Sequence, residues 1–140
     1  MILHVLDTDH VSLFQRKHPT VLQNIVSADP NFLAISIITV EEQIKGHFKL
    51  IKQADSGAKL IWAYTALQSG IAYFNRITVL PFDEVANTHY KTLRKQKIRI
   101  GTQDLRIAAI VLSVKGILVT RNWKDFAKVP DLTLADWSIP

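Results

Sequence analysis

Short apolar runs alternate along this chain with longer segments of helical periodicity, a pattern that bears on fold class before any single residue is weighed. Ile2 to Leu6 is a strand-like run that stops at Asp7, and residues 9–28 read as helical with a break near Pro19. Leu33-Ala34-Ile35-Ser36 reads as a second strand. The next helix is expected from Thr39 to about Lys52, with Val40, Ile44, Phe48 and Ile51 on one face. Leu60, Tyr64, Leu67, Ile71 and Phe74 recur at intervals of four and three and form a continuous apolar stripe along another helix. Ile77 to Leu80 reads as a strand, Pro81 and Asp83 announce a helix to about Lys97, and a further helix runs from about Thr102 to Val114. Gly116 turns the chain into the strand Ile117-Leu118-Val119, and a last short strand is expected near Leu132 to Leu134.

Strands separated throughout by helices predict βα units. The expected fold class is therefore α/β, a three-layer α/β/α domain with a mainly parallel central sheet. With 140 residues and no linker-like or repeated stretch, residues 1–140 read as a single domain. Such sheets hold their ligands at the carboxyl ends of the strands. Asp7, Ser36 and Thr120-Arg121-Asn122 stand at those ends.

Composition narrows the chemistry. The chain has no cysteine, which excludes disulfides, thiolate metal sites and cysteine nucleophiles. The amino terminus carries no basic leader, and no stretch approaches the roughly 20 apolar residues of a membrane span, so a soluble, cytoplasmic protein without membrane contact is expected. The net charge of +5 is compatible with a polyanionic partner without requiring one. Lys91, Arg94, Lys95, Lys97 and Arg99 crowd just upstream of Asp104; charge alone favours reading them as a solvated helix face.

The carboxylates carry the sharper signal, because a Mg²⁺ or Mn²⁺ site needs hard oxygen donors. Asp7 ends a buried strand, where packing gives no reason for a charge, although it also suits the N-cap of the following helix. Thr39-Val40-Glu41-Glu42 fits a capping box, so Glu42 alone reads as a cap before a ligand, and Glu41 as its solvated neighbour. Asp104 follows Gly101 at a helix start, where Thr102 or Asp104 itself would serve as a cap. Asn122 and Asp125 follow the strand at Val119 and also fit ordinary turn chemistry.

The order of these blocks resembles the PIN-domain family, and most closely the VapC-type toxins of toxin–antitoxin pairs. The residues that carry the resemblance are Leu6-Asp7-Thr8-Asp9, Ile35 to Glu42 with Gly46, Leu80-Pro81-Phe82-Asp83, Ile100 to Ala109, Leu118 to Asn122 with Asp125-Phe126, and Asp136-Trp137. They span nearly the whole chain. The resemblance implies a ribonuclease that uses Mg²⁺ or Mn²⁺. Asp7, Glu42 and Asp104 match the family's first three acids, Glu42 rather than Glu41 because it stands four residues before Gly46. Asn122 occupies the fourth position, often Asp, so a second metal is in doubt unless Asp125 compensates. Asp9 stands where many members carry Asn. Thr8 and Thr120 match polar positions around the ligands, and Arg121, Arg106 and the Lys91–Arg99 cluster are candidates to hold RNA. The resemblance further implies a cognate antitoxin and a homodimer or a heteromeric toxin–antitoxin complex. The Leu60–Phe74 stripe, with Trp62 and Tyr73 off its main line, would supply such surfaces or else belong to the core.

Three other readings compete. A PIN fold that binds RNA without cutting is motivated by Asn122. A haloacid-dehalogenase-like phosphatase shares Asp7-Thr8-Asp9, but the remaining blocks fit it poorly. A receiver-like domain needs an acceptor Asp where the strands here end in Ser36 and Leu80-Pro81.

Overall fold

The computed structural model describes residues 2–140. Five parallel strands, β1 (His4–Leu6), β2 (Leu33–Ser36), β3 (Thr78–Leu80), β4 (Ile117–Val119) and β5 (Thr133–Ala135), form one sheet in the order β3-β2-β1-β4-β5. Helices α1 (Thr8–Gln15) and α2 (Pro19–Ser27) connect β1 to β2. Helices α3 (Ile37–Gln53) and α4 (Gly57–Phe74) lead to β3, α5 (Glu84–Lys95) and α6 (Thr102–Ser113) to β4, and the short α7 (Trp123–Phe126) to β5.

The side-chain alternation of the strands divides the core in two. Val5, Ala34 and Leu118 face Ile107, Ile110 and Val111 of α6 and Ala86 and Leu93 of α5. Leu6, Leu33, Ile35 and Val119 face the other way, toward Val11 of α1 and Ile25 of α2. A period of two on the strands thus gives both faces an apolar surface, and helices cover each. The three-layer expectation holds. No helix among the described residues is long and apolar enough to cross a membrane.

Several boundaries differ from expectation for local reasons. The segment 9–28 is two helices, with Pro19 at the first position of α2, where its missing N–H costs nothing. The third helix starts at Ile37 rather than Thr39, because Ser36 Oγ accepts the Thr39 N–H at 3.1 Å and is the true cap. Two residues beyond the ends of α1, α5 and α6, Lys17, Lys97 and Lys115 each take φ between 52° and 60°. The helix ends are closed by bonds such as Gly116 N–H to Val111 O at 3.0 Å. These left-handed C-terminal turns usually recruit glycine.

The apolar stripe on α4 departs most from a core reading. Ala63 and Gly70 are its buried residues, whereas Tyr64, Leu60 and Ile71 of the stripe are exposed, as are Ile61 and Trp62 beside it. With Phe48 and Leu50 of α3 they give the α3–α4 hairpin an apolar outer surface.

Candidate functional site

The register sets Leu6 beside Ile35 on one side and Val119 on the other, so β1 and β4 end level and β2 runs one residue further, to Ser36. Chain connections leave β1 toward β2 on one side, while β4 lies on the other, the switch point where an open sheet forms a crevice. A pocket of about 330 Å³ opens there, lined by Asp7, Thr8, Asp9, Ser12, Glu42, Asp104, Ile107, Asn122 and Phe126. A larger cleft of about 600 Å³ lies at the opposite strand ends, around Ile2, His4, Ile117 and Trp137, but of the proposed acids it holds none.

Asp7 follows β1 directly and is almost completely buried. Its Oδ1 accepts the His10 backbone N–H at 2.8 Å and lies 3.1 Å from His10 Nδ1. The capping reading is therefore correct for Asp7, and it engages one of the two carboxylate oxygens. Glu42 is different. The capping box expected at Thr39 and Glu42 does not form, because Ser36 caps α3 and Glu42 lies a turn inside it. The Glu42 Oε1 instead accepts the Thr8 hydroxyl at 2.6 Å, a short charge-assisted bond from another helix. Glu41 points outward. Its carboxyl is held below the usual range by a hydrogen bond from Gln103 and by Lys45.

Asp104 lies in the first turn of α6, whose N-cap is Gly101 with no side-chain bond; neither Thr102 nor Asp104 caps. Burial pushes the Asp104 carboxyl above its ordinary range, and the charges of Glu42, Asp7 and Asp125 add to the effect. Three separate segments thus place negative charge on one space.

Asn122 keeps the turn role that its position allowed. Its Oδ1 caps α7 at Asp125 N–H (3.4 Å) and its Nδ2 donates to Asp125 Oδ2 at 3.1 Å. Thr120 is buried and accepts the Asn122 N–H at 2.9 Å, orienting that turn. Thr120, Asp125, Arg121 and Arg106 stay off the pocket lining. Arg121 grips Asp9 through two bonds of 2.7 and 3.2 Å on the exposed rim. Arg106 donates to Gln103 at 2.8 Å and lies 5.6 Å from the Tyr90 ring. The basic side chains Lys91, Arg94, Lys95, Lys97 and Arg99 are exposed, as a solvated face requires.

The donor set fits a hard divalent cation, since it offers carboxylate, hydroxyl and carboxamide oxygen and no sulfur. Among the described residues, no three acid or imidazole groups converge closely enough to ligate one ion. The fit is one of chemistry and placement, with Asp7 bonded to His10 and Glu42 to Thr8. Ser12, Ile107 and Phe126 were not anticipated as lining residues. Ser12 and Ile107 were legible, because Ser12 stands one turn after Thr8 and Ile107 one turn after Asp104.

Comparison with known proteins agrees with this geometry. No protein-family model matches the chain. It is 32% identical over 139 residues to Ribonuclease VapC1 of Haemophilus influenzae, covering 98% of this chain and 99% of that protein. It is 30% identical over 142 residues to Ribonuclease VapC2 of Rickettsia felis, covering 97% and 98%. Among solved structures, VapBC-1 from nontypeable Haemophilus influenzae matches with a TM-score of 0.78 at 28% identity, covering 99% of this chain and all of that one. VapBC2 from Rickettsia felis, bound to a DNA fragment from its promoter, matches with a TM-score of 0.76 at 26% identity, covering 97% and 99%.

Proposed function

The chain belongs to the VapC family of ribonucleases, and on that premise we propose that it hydrolyses RNA phosphodiester bonds with a Mg²⁺ or Mn²⁺ ion held by Asp7, Glu42 and Asp104. The observation that carries this reading is the pocket itself, which carboxylates from the end of β1, from α3 and from α6 line together. A bound divalent ion would polarise the scissile phosphate and lower the pKa of the attacking water. The residues of the chain do the positioning. Thr8 fixes Glu42, and His10 fixes Asp7. Because both polar atoms of Asn122 are engaged by Asp125, one ion is proposed rather than two.

Arg121 and Arg106 would bind the RNA backbone at the rim, so affinity should fall as salt rises. The proposed partner is an antitoxin, in a heteromeric complex or with a homodimer of this chain, acting in the cytoplasm. The exposed apolar face of α3 and α4 is the surface suited to it; Ile61 and Trp62 are 70% and 61% exposed there.

A second reading, RNA binding without cleavage, is favoured by the neutral Asn122. The deciding assay incubates the purified chain with tRNA and ribosomal RNA in Mg²⁺, Mn²⁺ or a chelator. Cleavage that needs the metal and disappears in Asp7→Asn, Glu42→Gln and Asp104→Asn supports the enzyme. Retained binding with no cleavage in either metal would establish the second reading instead.

A further inference from the structure

The His10 ring is completely buried, and each of its nitrogens has a partner. The Trp137 backbone N–H donates to Nε2 at 3.3 Å, so Nε2 is the acceptor. A neutral ring then carries its proton on Nδ1, the atom 3.1 Å from Asp7 Oδ1. Asp136 Oδ1 is 3.5 Å from Nε2, but it already accepts the Ser138 N–H and hydroxyl at 2.8 and 2.6 Å. Trp137 is itself pinned, by Asn24 Nδ2 donating to its carbonyl at 3.0 Å and by the His4 ring 5.2 Å away. The carboxyl-terminal segment therefore reaches Asp7 through a single imidazole.

Capping does not require this ring. The cap uses the His10 backbone N–H, which almost any residue supplies, and an apolar side chain would fill the buried space without desolvating two nitrogens. We propose that His10 is a positioning residue, which braces Asp7 Oδ1 from the Trp137 segment and so presents the other carboxylate oxygen to the cation. The inference rests on the reading of Asp7 as a ligand.

Mn²⁺ affinity measured by titration calorimetry on the purified chain, beside thermal melting and RNA cleavage, tests it. His10→Leu fills the space but offers neither bond; its Mn²⁺ affinity should fall about 10- to 100-fold, the usual cost of losing a partner behind a metal ligand. His10→Asn, whose amide can stand in for Nδ1–H, should recover most of that loss. Unchanged Mn²⁺ affinity in His10→Leu, whatever its melting temperature, makes the ring a structural strut and overturns the proposal. If His10→Leu does not fold, His10→Asn against His10→Gln decides, since Gln can reproduce the acceptor for Trp137 but not the donor geometry toward Asp7. Tighter binding by Asn supports the proposal, and equal binding by both overturns it. Asp7→Asn is the separate control: normal Mn²⁺ affinity there would mean that Asp7 itself is not a ligand.

Discussion

His10 and His47 both bury their ring nitrogens, yet His10 has a partner at each nitrogen and His47 has none among the described residues. His10 lies where β1, α1 and the carboxyl-terminal segment meet. His47 lies between α3 and α4, so close to Gly70 that a Cβ there would be 2.8 Å from its Nε2. Leaving buried polar atoms unpaired costs about 1–3 kcal/mol for each group, so the hairpin carries a penalty that the pocket avoids. The pocket has the opposite strain, a carboxyl at Asp104 disfavoured in its charged form by burial first and then by the charges of Glu42, Asp7 and Asp125. One region is polar, paired and electrostatically loaded. The other is apolar outside, at Ile61 and Trp62, and unsatisfied within, at His47.

The change that separates the two most strongly is Asp104→Asn. Removing a proposed ligand should reduce cleavage at least about 100-fold, the upper end of what losing an outer partner costs. Stability should move the other way. The folded-state pKa of Asp104 is raised above its ordinary 3.8, so the folded protein binds that proton more tightly than the unfolded chain. The favourable contribution is then complete below about pH 4 and is lost as pH rises through the folded value. In metal-free buffer at pH 7 the Asn variant should melt higher than the parent, with the gap closing as pH falls through the ordinary carboxylate range. A variant that melts lower at pH 7 would contradict the electrostatic picture of the pocket.

Gly70→Ala probes the hairpin. Helix propensity favours Ala by about 0.8–1 kcal/mol, but the new Cβ collides with the His47 ring, and overpacking of this kind costs about 1–3 kcal/mol. Net destabilisation in urea unfolding is expected, with cleavage of RNA unaffected because neither residue lines the pocket. In a His47→Ala background the same substitution should change sign and stabilise by about 1 kcal/mol. Absence of that reversal would show that His47 does not set the packing of α4.

The same contrast explains what the sequence could reveal. The layers and the parallel sheet were legible because they rest on local pattern, strands alternating with helices, whereas the strand order β3-β2-β1-β4-β5 is set by long-range pairing, and Glu42 and Asp104 stood out only through the family resemblance. Helix ends were less legible, since Lys17, Lys97 and Lys115 take left-handed turns without the glycine that would mark them. The capping of α3 went to Ser36 rather than Thr39 because both residue types fit and only the backbone path decides. The α4 stripe was open to two readings, surface or core, and the structure divides it: Leu60, Tyr64 and Ile71 are exposed while Phe74 packs against the core. The helix's fully buried residues are Ala63 and Gly70, too small to register as an apolar face. His10 was hidden for a different reason, since its partner Trp137 lies 127 residues away.

His47→Leu gives the smallest and most diagnostic change. Leucine is close to histidine in bulk, keeps the contact with Gly70 and removes two buried nitrogens that have no partner among the described residues. Replacing an unsatisfied polar group by an apolar one of similar shape should stabilise the chain by about 1 kcal/mol in urea unfolding, without altering cleavage or Mn²⁺ affinity. At position 10 the identical substitution removes two satisfied bonds and should weaken both Mn²⁺ binding and stability. Two histidines would then respond to one mutation with opposite signs, and the sign follows from hydrogen bonding alone, since both rings are shielded from water at their nitrogens. If His47→Leu instead destabilises, the imidazole is making a favourable contact within the hairpin, and the division between a satisfied pocket and an unsatisfied hairpin fails at that residue.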